Sequence, residues 1–173
     1  MSPTHAAPCV LVVDDEAPIC RSVEKILAKE GIATRSALDG TAALKIMEAE
    51  SFDVVVTDLK MGSLGGLEVL RRVRETNPDA VVVVMTGYAS VASAVEVLKS
   101  GAFDYLPKPF TPAELRAVVR QALEESTQRR RRRELLDRRA ARQADIDAGR
   151  LPVLHGPPDN HCRQLCRTSR PWQ

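Results

Sequence analysis

Apolar positions follow two alternating rhythms over the first 125 residues. Residues 9–13 form an unbroken aliphatic run that stops at two acids, the pattern of a parallel strand buried on both faces. Ile19, Val23, Ile26 and Leu27 then recur at helical spacing until Gly31. Further strands are predicted at 32–37, the weakest of the set, and at 53–57, 80–85 and 103–106. Between them, Ala42, Ala43, Leu44, Ile46 and Met47 mark a short helix opened by a turn at 39–41. Leu67, Val69, Leu70 and Val73 mark another that stops before Asn77 and Pro78, and a helix over 91–100 closes at Gly101. A fifth helix begins at Pro112, with Thr111 as its N-cap, and its pattern holds to Glu124. Five strands alternating with five helices imply an α/β fold, a five-stranded doubly wound parallel sheet, because right-handed crossovers place helices on both faces. Function is then expected at the carboxyl ends of the strands.

Beyond Glu125 the pattern changes. Residues 126–148 favour helix in composition, so the fifth helix is expected to continue as a basic extension. Yet no apolar position occurs between Leu123 and Leu135, and five consecutive arginines, 129–133, interrupt any seam. That run is expected to be a solvated helix face, with phosphate-backbone or acidic-partner binding as the alternative. Residues 1–8 and 149–173 are expected to be disordered, the latter a flexible tail rich in Pro, Arg and polar residues. The folded domain is therefore expected to span 9–125.

Composition narrows the class. The 173 residues are 44% hydrophobic, 28% charged and 3% aromatic, which fits one soluble domain with an aliphatic core plus a tail and excludes collagen-like, mucin-like and disulfide-scaffold chains. The run at 80–85 is too short to cross a bilayer and the first eight residues lack a signal-peptide plan, so a cytoplasmic protein with no membrane partner is expected. The net charge of +2 hides an asymmetry. Residues 1–125 carry 13 Lys+Arg against 18 Asp+Glu, and residues 126–173 carry 12 against 5. Cys9 and Cys20 lie in apolar patterns and Cys162 and Cys166 in the tail, and all four are expected to be thiols. The spacing of His155, His161, Cys162 and Cys166 matches no common zinc module.

The residues that follow the strands carry the chemistry. Asp14 and Asp15 follow the first, Asp58 the third, Thr86 the fourth and Lys108 the fifth, and these ends converge on one cleft. Asp14 and Asp15 alone would read as a helix-start device; with Asp58, Thr86 and Lys108 they read as a site. Three clustered carboxylates repel and raise one another's pKa. A hard divalent cation with oxygen ligands, Mg2+ where phosphates also bind, removes that cost. Asp15 and Asp58 can each offer a carboxylate oxygen and Lys60 its backbone carbonyl, while Asp14 holds a coordinated water. Asp58 can then act as a nucleophile and form an aspartyl phosphate. Lys108 supplies a second positive charge, and Thr86 a hydroxyl for a phosphoryl oxygen.

Residues 10–16 (VLVVDDE), 54–66 (VVVTDLKMGSLGG), 85–90 (MTGYAS) and 101–110 (GAFDYLPKPF) resemble, in order, the receiver domain of two-component response regulators, most of all the receivers of enhancer-binding transcription activators. The resemblance runs from about residue 9 to about 124 and implies a flavodoxin-like receiver fold. It implies that Asp58 is the phosphoacceptor, supplied by the phosphohistidine of a sensor histidine kinase or phosphotransfer protein. It assigns Mg2+ binding to Asp14, Asp15, Asp58 and the Lys60 carbonyl, and catalytic support to Thr86 and Lys108. It further implies a two-position switch of Thr86 and Tyr105, and a cis peptide between Lys108 and Pro109 that aims the ammonium into the cleft. Lys60 and Tyr88, beside the site, are expected to limit water access and slow aspartyl-phosphate hydrolysis. Phosphorylation should remodel the face formed by the fourth helix, fifth strand and fifth helix, which then binds a partner or a second copy. The chain is thus expected to assist its own phosphorylation and slow dephosphorylation rather than to act as an enzyme on other substrates.

Two departures from the family pattern stand out. Met61 is followed by Gly62 where the family usually has proline, in a loop with Gly65 and Gly66, so this loop is expected to be more mobile than usual. Nothing after Glu125 resembles an output module, neither a phosphate-binding Gly-x-x-x-x-Gly-Lys loop nor a helix-turn-helix. Direct transcription control through the basic extension is the alternative function. A flavodoxin-like electron carrier is disfavoured because Asp14 and Asp15 would repel a flavin phosphate. A phosphatase with an aspartate nucleophile is disfavoured too, because Asp58-Leu59-Lys60 lacks a second aspartate as general acid.

Overall fold

The computed structural model describes residues 7–62, 64–87 and 91–150, the side chains of 91–94 excepted. Tyr88, His155, His161, Cys162, Cys166 and the expected disorder at 1–6 and 151–173 lie outside the described residues. Five strands alternate with five helices in the order β1 (Cys9–Val13), α1 (Ala17–Ala28), β2 (Ala33–Ala37), α2 (Gly40–Ala49), β3 (Val54–Asp58), α3 (Gly66–Thr76), β4 (Val81–Thr86), α4 (Val91–Lys99), β5 (Asp104–Pro107) and α5 (Pro112–Asp147). The sheet order is β2-β1-β3-β4-β5 with every pairing parallel. The chain reverses its direction of travel across the sheet between β1 and β3, the place where a crevice opens at the carboxyl edge.

The strict alternation of side chains along each strand divides the core in two. Leu11, Val13, Val55, Val82 and Val84 pack with Ala43 of α2, Val69, Leu70 and Val73 of α3 and Val97 of α4. On the other face Val10, Val12, Val54, Val56, Val83 and Met85 pack with Cys20, Val23 and Leu27 of α1 and Leu115, Val119 and Ala122 of α5. β1, β3 and β4 are buried throughout, which is why they read as continuous aliphatic runs. β2 is an edge strand whose Ala33 and Arg35–Ser36 region meets solvent on one side, which explains its weaker signal.

Helix ends follow local chemistry. The Asp39 carboxylate accepts from Ala42 N at 2.7 Å to open α2. Thr111 and Glu114 form a reciprocal capping box at α5, with Glu114 N donating to Thr111 Oγ1 and Thr111 N to Glu114 Oε2. Gly31 (φ 72°) follows α1 and Gly101 (φ 96°) follows α4, positions where the left-handed backbone favours glycine.

The chain divides into two compact units, residues 1–132 and 133–173. In the first, the arginine run is not the uniformly solvated face expected. Arg129 is half-buried, pairing with Glu125 at 2.7 Å and donating to Ala80 O at 3.4 Å. Arg130 pairs with the buried Asp53, whose other oxygen accepts from Cys9 N at 2.9 Å. Helical spacing is the reason: residues 126, 129 and 130 continue the face that carries Leu115, Val119 and Ala122. In the second unit the described part is the continuation of α5, closed at Gly149 (φ 68°). There Arg150 N donates to Asp145 O and Gly149 N to Ile146 O, a Schellman motif.

Candidate functional site

Four of the five strands, β1, β3, β4 and β5, each deliver a polar residue to the carboxyl edge of the sheet. Asp14 follows β1, and its N–H donates to Ala37 O at 3.1 Å, extending the ladder with β2. Its side chain is fully buried, with Oδ1 accepting from Glu16 N at 2.9 Å. Asp58 ends β3, with Oδ1 held by Leu59 N at 2.6 Å. Thr86 ends β4 and is fully buried. Lys108 N donates to Thr86 O at 2.8 Å, so β5 continues in register until the chain turns at the cis Lys108–Pro109 peptide.

The side chains of these residues meet. Lys108 Nζ lies 2.6 Å from Asp14 Oδ2, 3.2 Å from Asp58 Oδ2 and 3.6 Å from Glu16 Oε1. The contact with Asp58 has hydrogen-bond alignment; Asp14 Oδ2 is close to the ammonium but accepts no aligned donor. Carboxylate oxygens of Asp14, Asp15 and Asp58 all lie within 4.8 Å of one another. Two unit charges about 5 Å apart repel by roughly 3 kcal/mol at an effective dielectric near 20, and one ammonium cannot neutralise three carboxylates. Burial raises the Asp14 pKa above the usual carboxylate range, and this outweighs the opposing contact with Lys108. Burial works against the Lys108 ammonium, but the Asp14 and Asp58 carboxylates reverse that and raise its pKa overall.

An all-oxygen, net-negative cluster in which the buried Asp14 Oδ2 accepts no aligned donor fits a hard divalent cation. A stability test follows from the sign of the Asp14 shift. A carboxyl whose folded pKa is raised contributes stability below its unfolded pKa and loses it as pH rises through the folded value, so ionised Asp14 is a net cost at neutral pH. Asp14→Asn should therefore raise the thermal midpoint in EDTA at pH 7.5 by a few degrees, about what 1 kcal/mol gives at this size, and the gain should shrink toward pH 4. Millimolar Mg2+ should stabilise the wild type more than the variant. A variant less stable than wild type in EDTA would contradict this account of the pocket.

The remaining expected residues are placed less centrally. Asp15 is exposed at the rim, and Lys60 is an exposed loop residue two positions after Asp58. Tyr105 is half-buried in β5, with its hydroxyl buried and, among the described residues, lacking a hydrogen-bond partner. Sequence reasoning missed Glu16, although three acids in a row after a buried strand was a usable signal. It also missed Cys20, whose buried thiol donates to Asp14 O at 3.4 Å. Burial pushes the pKa of that thiol up to about 11.

The loop glycines also read differently in three dimensions. A Cβ at Gly66 would stand 2.1 Å from the Asp58 carbonyl oxygen, and one at Gly65 3.2 Å from Leu59 O, whereas Gly62 has open space. Gly66 therefore lets the start of α3 lie directly against the residue that ends β3. Its glycine serves close packing there, not mobility.

Residues 10–120 match the response regulator receiver domain model, and the chain belongs to that family. It is 39% identical over 114 residues to the transcriptional regulatory protein ZraR of Klebsiella oxytoca, a match covering 66% of this chain and 26% of that protein. It is 41% identical over 118 residues to the response regulator MprA of Mycolicibacterium vanbaalenii, covering 68% and 51% respectively. The crystal structure of a CheY-like receiver domain protein from Methanospirillum hungatei superposes with a TM-score of 0.67 at 30% identity, over 71% of this chain and 98% of that one. The matched region thus spans about a quarter to a half of the length of these curated relatives and nearly all of the isolated receiver. Among the described residues no helix is long and apolar enough to cross a membrane.

Proposed function

We propose that this chain is a phosphorylation-controlled signalling module in which Asp58 accepts a phosphoryl group from the phosphohistidine of a sensor histidine kinase or phosphotransfer protein. The observation that carries this is the Lys108 ammonium standing between Asp14 and Asp58 at 2.6 and 3.2 Å in a net-negative pocket at the strand ends. The Asp58 carboxylate attacks phosphorus as the bond from phosphorus to the donor imidazole breaks. Lys108 balances the negative charge brought by the phosphoryl group, and the Thr86 hydroxyl donates to one of its oxygens. Asp14, Asp15, Asp58 and the Lys60 carbonyl would hold Mg2+, which when bound supplies charge neutralisation for the phosphoryl group.

The consequence of phosphorylation follows from where these residues sit. Thr86 ends β4 and Tyr105 lies in β5, so a pull on Thr86 acts beside the Tyr105 ring and biases the face formed by α4, β5 and α5. That face then engages a cytoplasmic partner or a second copy of the chain. The protein acts as a phosphoacceptor that assists its own phosphorylation and slow dephosphorylation; the names of its relatives, transcriptional regulators, support transcription regulation as an output.

Intact-mass analysis after treatment with acetyl phosphate and MgCl2 tests the proposal. Wild type should gain one phosphoryl group, and Asp58→Asn or an EDTA control should gain none. An adduct of equal yield on Asp58→Asn would move the acceptor elsewhere.

A further inference from the structure

Three acids follow β1, and only the first two belong to the carboxylate cluster with Asp58. The third, Glu16, has its backbone fixed from both sides. Its N–H donates to Asp14 Oδ1 at 2.9 Å, and its carbonyl accepts from Ile19 N at 2.8 Å and Cys20 N at 3.3 Å as α1 begins. The Glu16 side chain makes no capping hydrogen bond to that helix. It reaches the cleft instead, with Oε1 3.6 Å from Lys108 Nζ. On that one ammonium the Glu16 side chain is 63% exposed, while those of Asp14 and Asp58 are 0% and 11% exposed. Glu16 therefore marks the solvent side of Lys108, the side from which a phosphodonor arrives. So exposed a contact contributes little to stability, but its charge acts at a distance. Glu16 and Asp58 touch the same ammonium, which places their carboxylate oxygens within about 7 Å of each other. Lys108 and one divalent cation together balance Asp14, Asp15 and Asp58. Glu16 is then an uncompensated negative charge beside the acceptor.

With Asp58 as phosphoacceptor, on which this rests, we propose that Glu16 is a specificity-determining residue that selects against free, doubly charged small phosphodonors, the acyl phosphate class. A small donor brings its charge and few other contacts, so repulsion at the mouth of the cleft acts directly on its capture. A phosphoryl group delivered by a protein gains contact area outside the cleft, which offsets the same repulsion. Across about 7 Å of water-like dielectric, one unit charge changes association about threefold and two charges about sevenfold. The carboxylate that repels a dianion attracts a cation, so its removal acts on donor and Mg2+ with opposite signs. In each transfer an Asp58 oxygen forms the new bond to phosphorus as the donor's bond breaks. The electron pair of the broken bond leaves with acetate from acetyl phosphate, or with ammonia from phosphoramidate.

Phosphorylation of wild type, Glu16→Gln and Glu16→Asp, followed by intact mass at saturating Mg2+ and low ionic strength, provides the test. With acetyl phosphate, a dianion at neutral pH, the rate of Glu16→Gln at sub-saturating donor should rise about sevenfold. With phosphoramidate, a net monoanion, it should rise about threefold. Both gains should appear in the donor concentration that gives half the maximal rate, not in the maximal rate. They should fall below about twofold at about 0.5 M NaCl, where the Debye length is near 4 Å. Glu16→Asp keeps the charge and should stay within about twofold of wild type. Calorimetric titration with Mg2+ alone should show binding to Glu16→Gln weakened by about two- to threefold, and the thermal midpoint should stay within about 1 °C of wild type. Unchanged or slower phosphorylation of Glu16→Gln, an equal gain with both donors, or a gain that survives high salt would overturn the proposal while leaving Asp58 as acceptor. An adduct of equal yield on Asp58→Asn would overturn the acceptor assignment itself, and this proposal with it.

Discussion

Gly66→Ala should destabilise the protein by about 3 kcal/mol and lower its thermal midpoint by roughly 10 °C, the largest effect expected from adding a single methyl group to this chain. The new Cβ would meet the Asp58 carbonyl oxygen at 2.1 Å, the Asp58 carbonyl carbon at 3.0 Å and Leu59 Cα at 3.2 Å. All three are backbone atoms, so no side chain can swing aside. Relief requires α3 to withdraw from the end of β3, which stretches the Gly66 N–H bond to Leu59 O, now 3.1 Å, and shifts the residue that carries the acceptor carboxylate. Phosphorylation by acetyl phosphate should therefore slow together with the loss of stability. Gly62→Ala, facing open space, should lie within about 0.5 kcal/mol of wild type. Equal midpoints for the Gly66 and Gly62 variants would show that α3 does not lie against β3 in this way.

Arg130→Ala should cost about 2 kcal/mol in urea denaturation, while Arg131→Ala beside it should cost no more than about 0.5 kcal/mol. The Asp53 side chain is 9% exposed and loses its counter-charge in the first variant. Removing one member of a buried pair costs more than the pair contributes, because the other charge stays buried. Arg130 is itself 38% exposed, so solvent screening keeps the expected loss below that of a fully enclosed pair. Asp53→Asn keeps a side-chain oxygen for Cys9 N, and the double variant Asp53→Asn/Arg130→Ala should recover part of the loss. A double-mutant cycle with no coupling would remove Asp53 as the anchor of this turn of α5.

Different physical signals account for what was legible beforehand. β1, β3 and β4 are central strands buried on both faces, so nearly every residue in them must be aliphatic and the runs at 9–13, 54–58 and 81–86 stand out. β2 sits at the edge and needs only intermittent apolar side chains, so its pattern is faint. The site was readable because a parallel α/β sheet collects all its strand ends at one edge, which turns Asp14, Asp58, Thr86 and Lys108 from scattered residues into neighbours once topology is granted. The Asp53–Arg130 pair was not readable in this way. Its partners are 77 residues apart, and each looks like an ordinary surface charge in its own segment.

Local sequence alone was enough to determine the order of strands and helices, the capping residue Thr111, and which acids follow which strand, because these depend on periodicity and on contacts only a few residues apart. Tertiary structure alone decided that Gly66 is a packing residue, that Lys108 stands between Asp14 and Asp58, and that in a run of identical arginines Arg129 and Arg130 are anchored while Arg131 and Arg132 are exposed. Those outcomes depend on how closely distant backbone segments approach and on which side of a helix meets the sheet, and neither quantity is carried by the identity of any single residue.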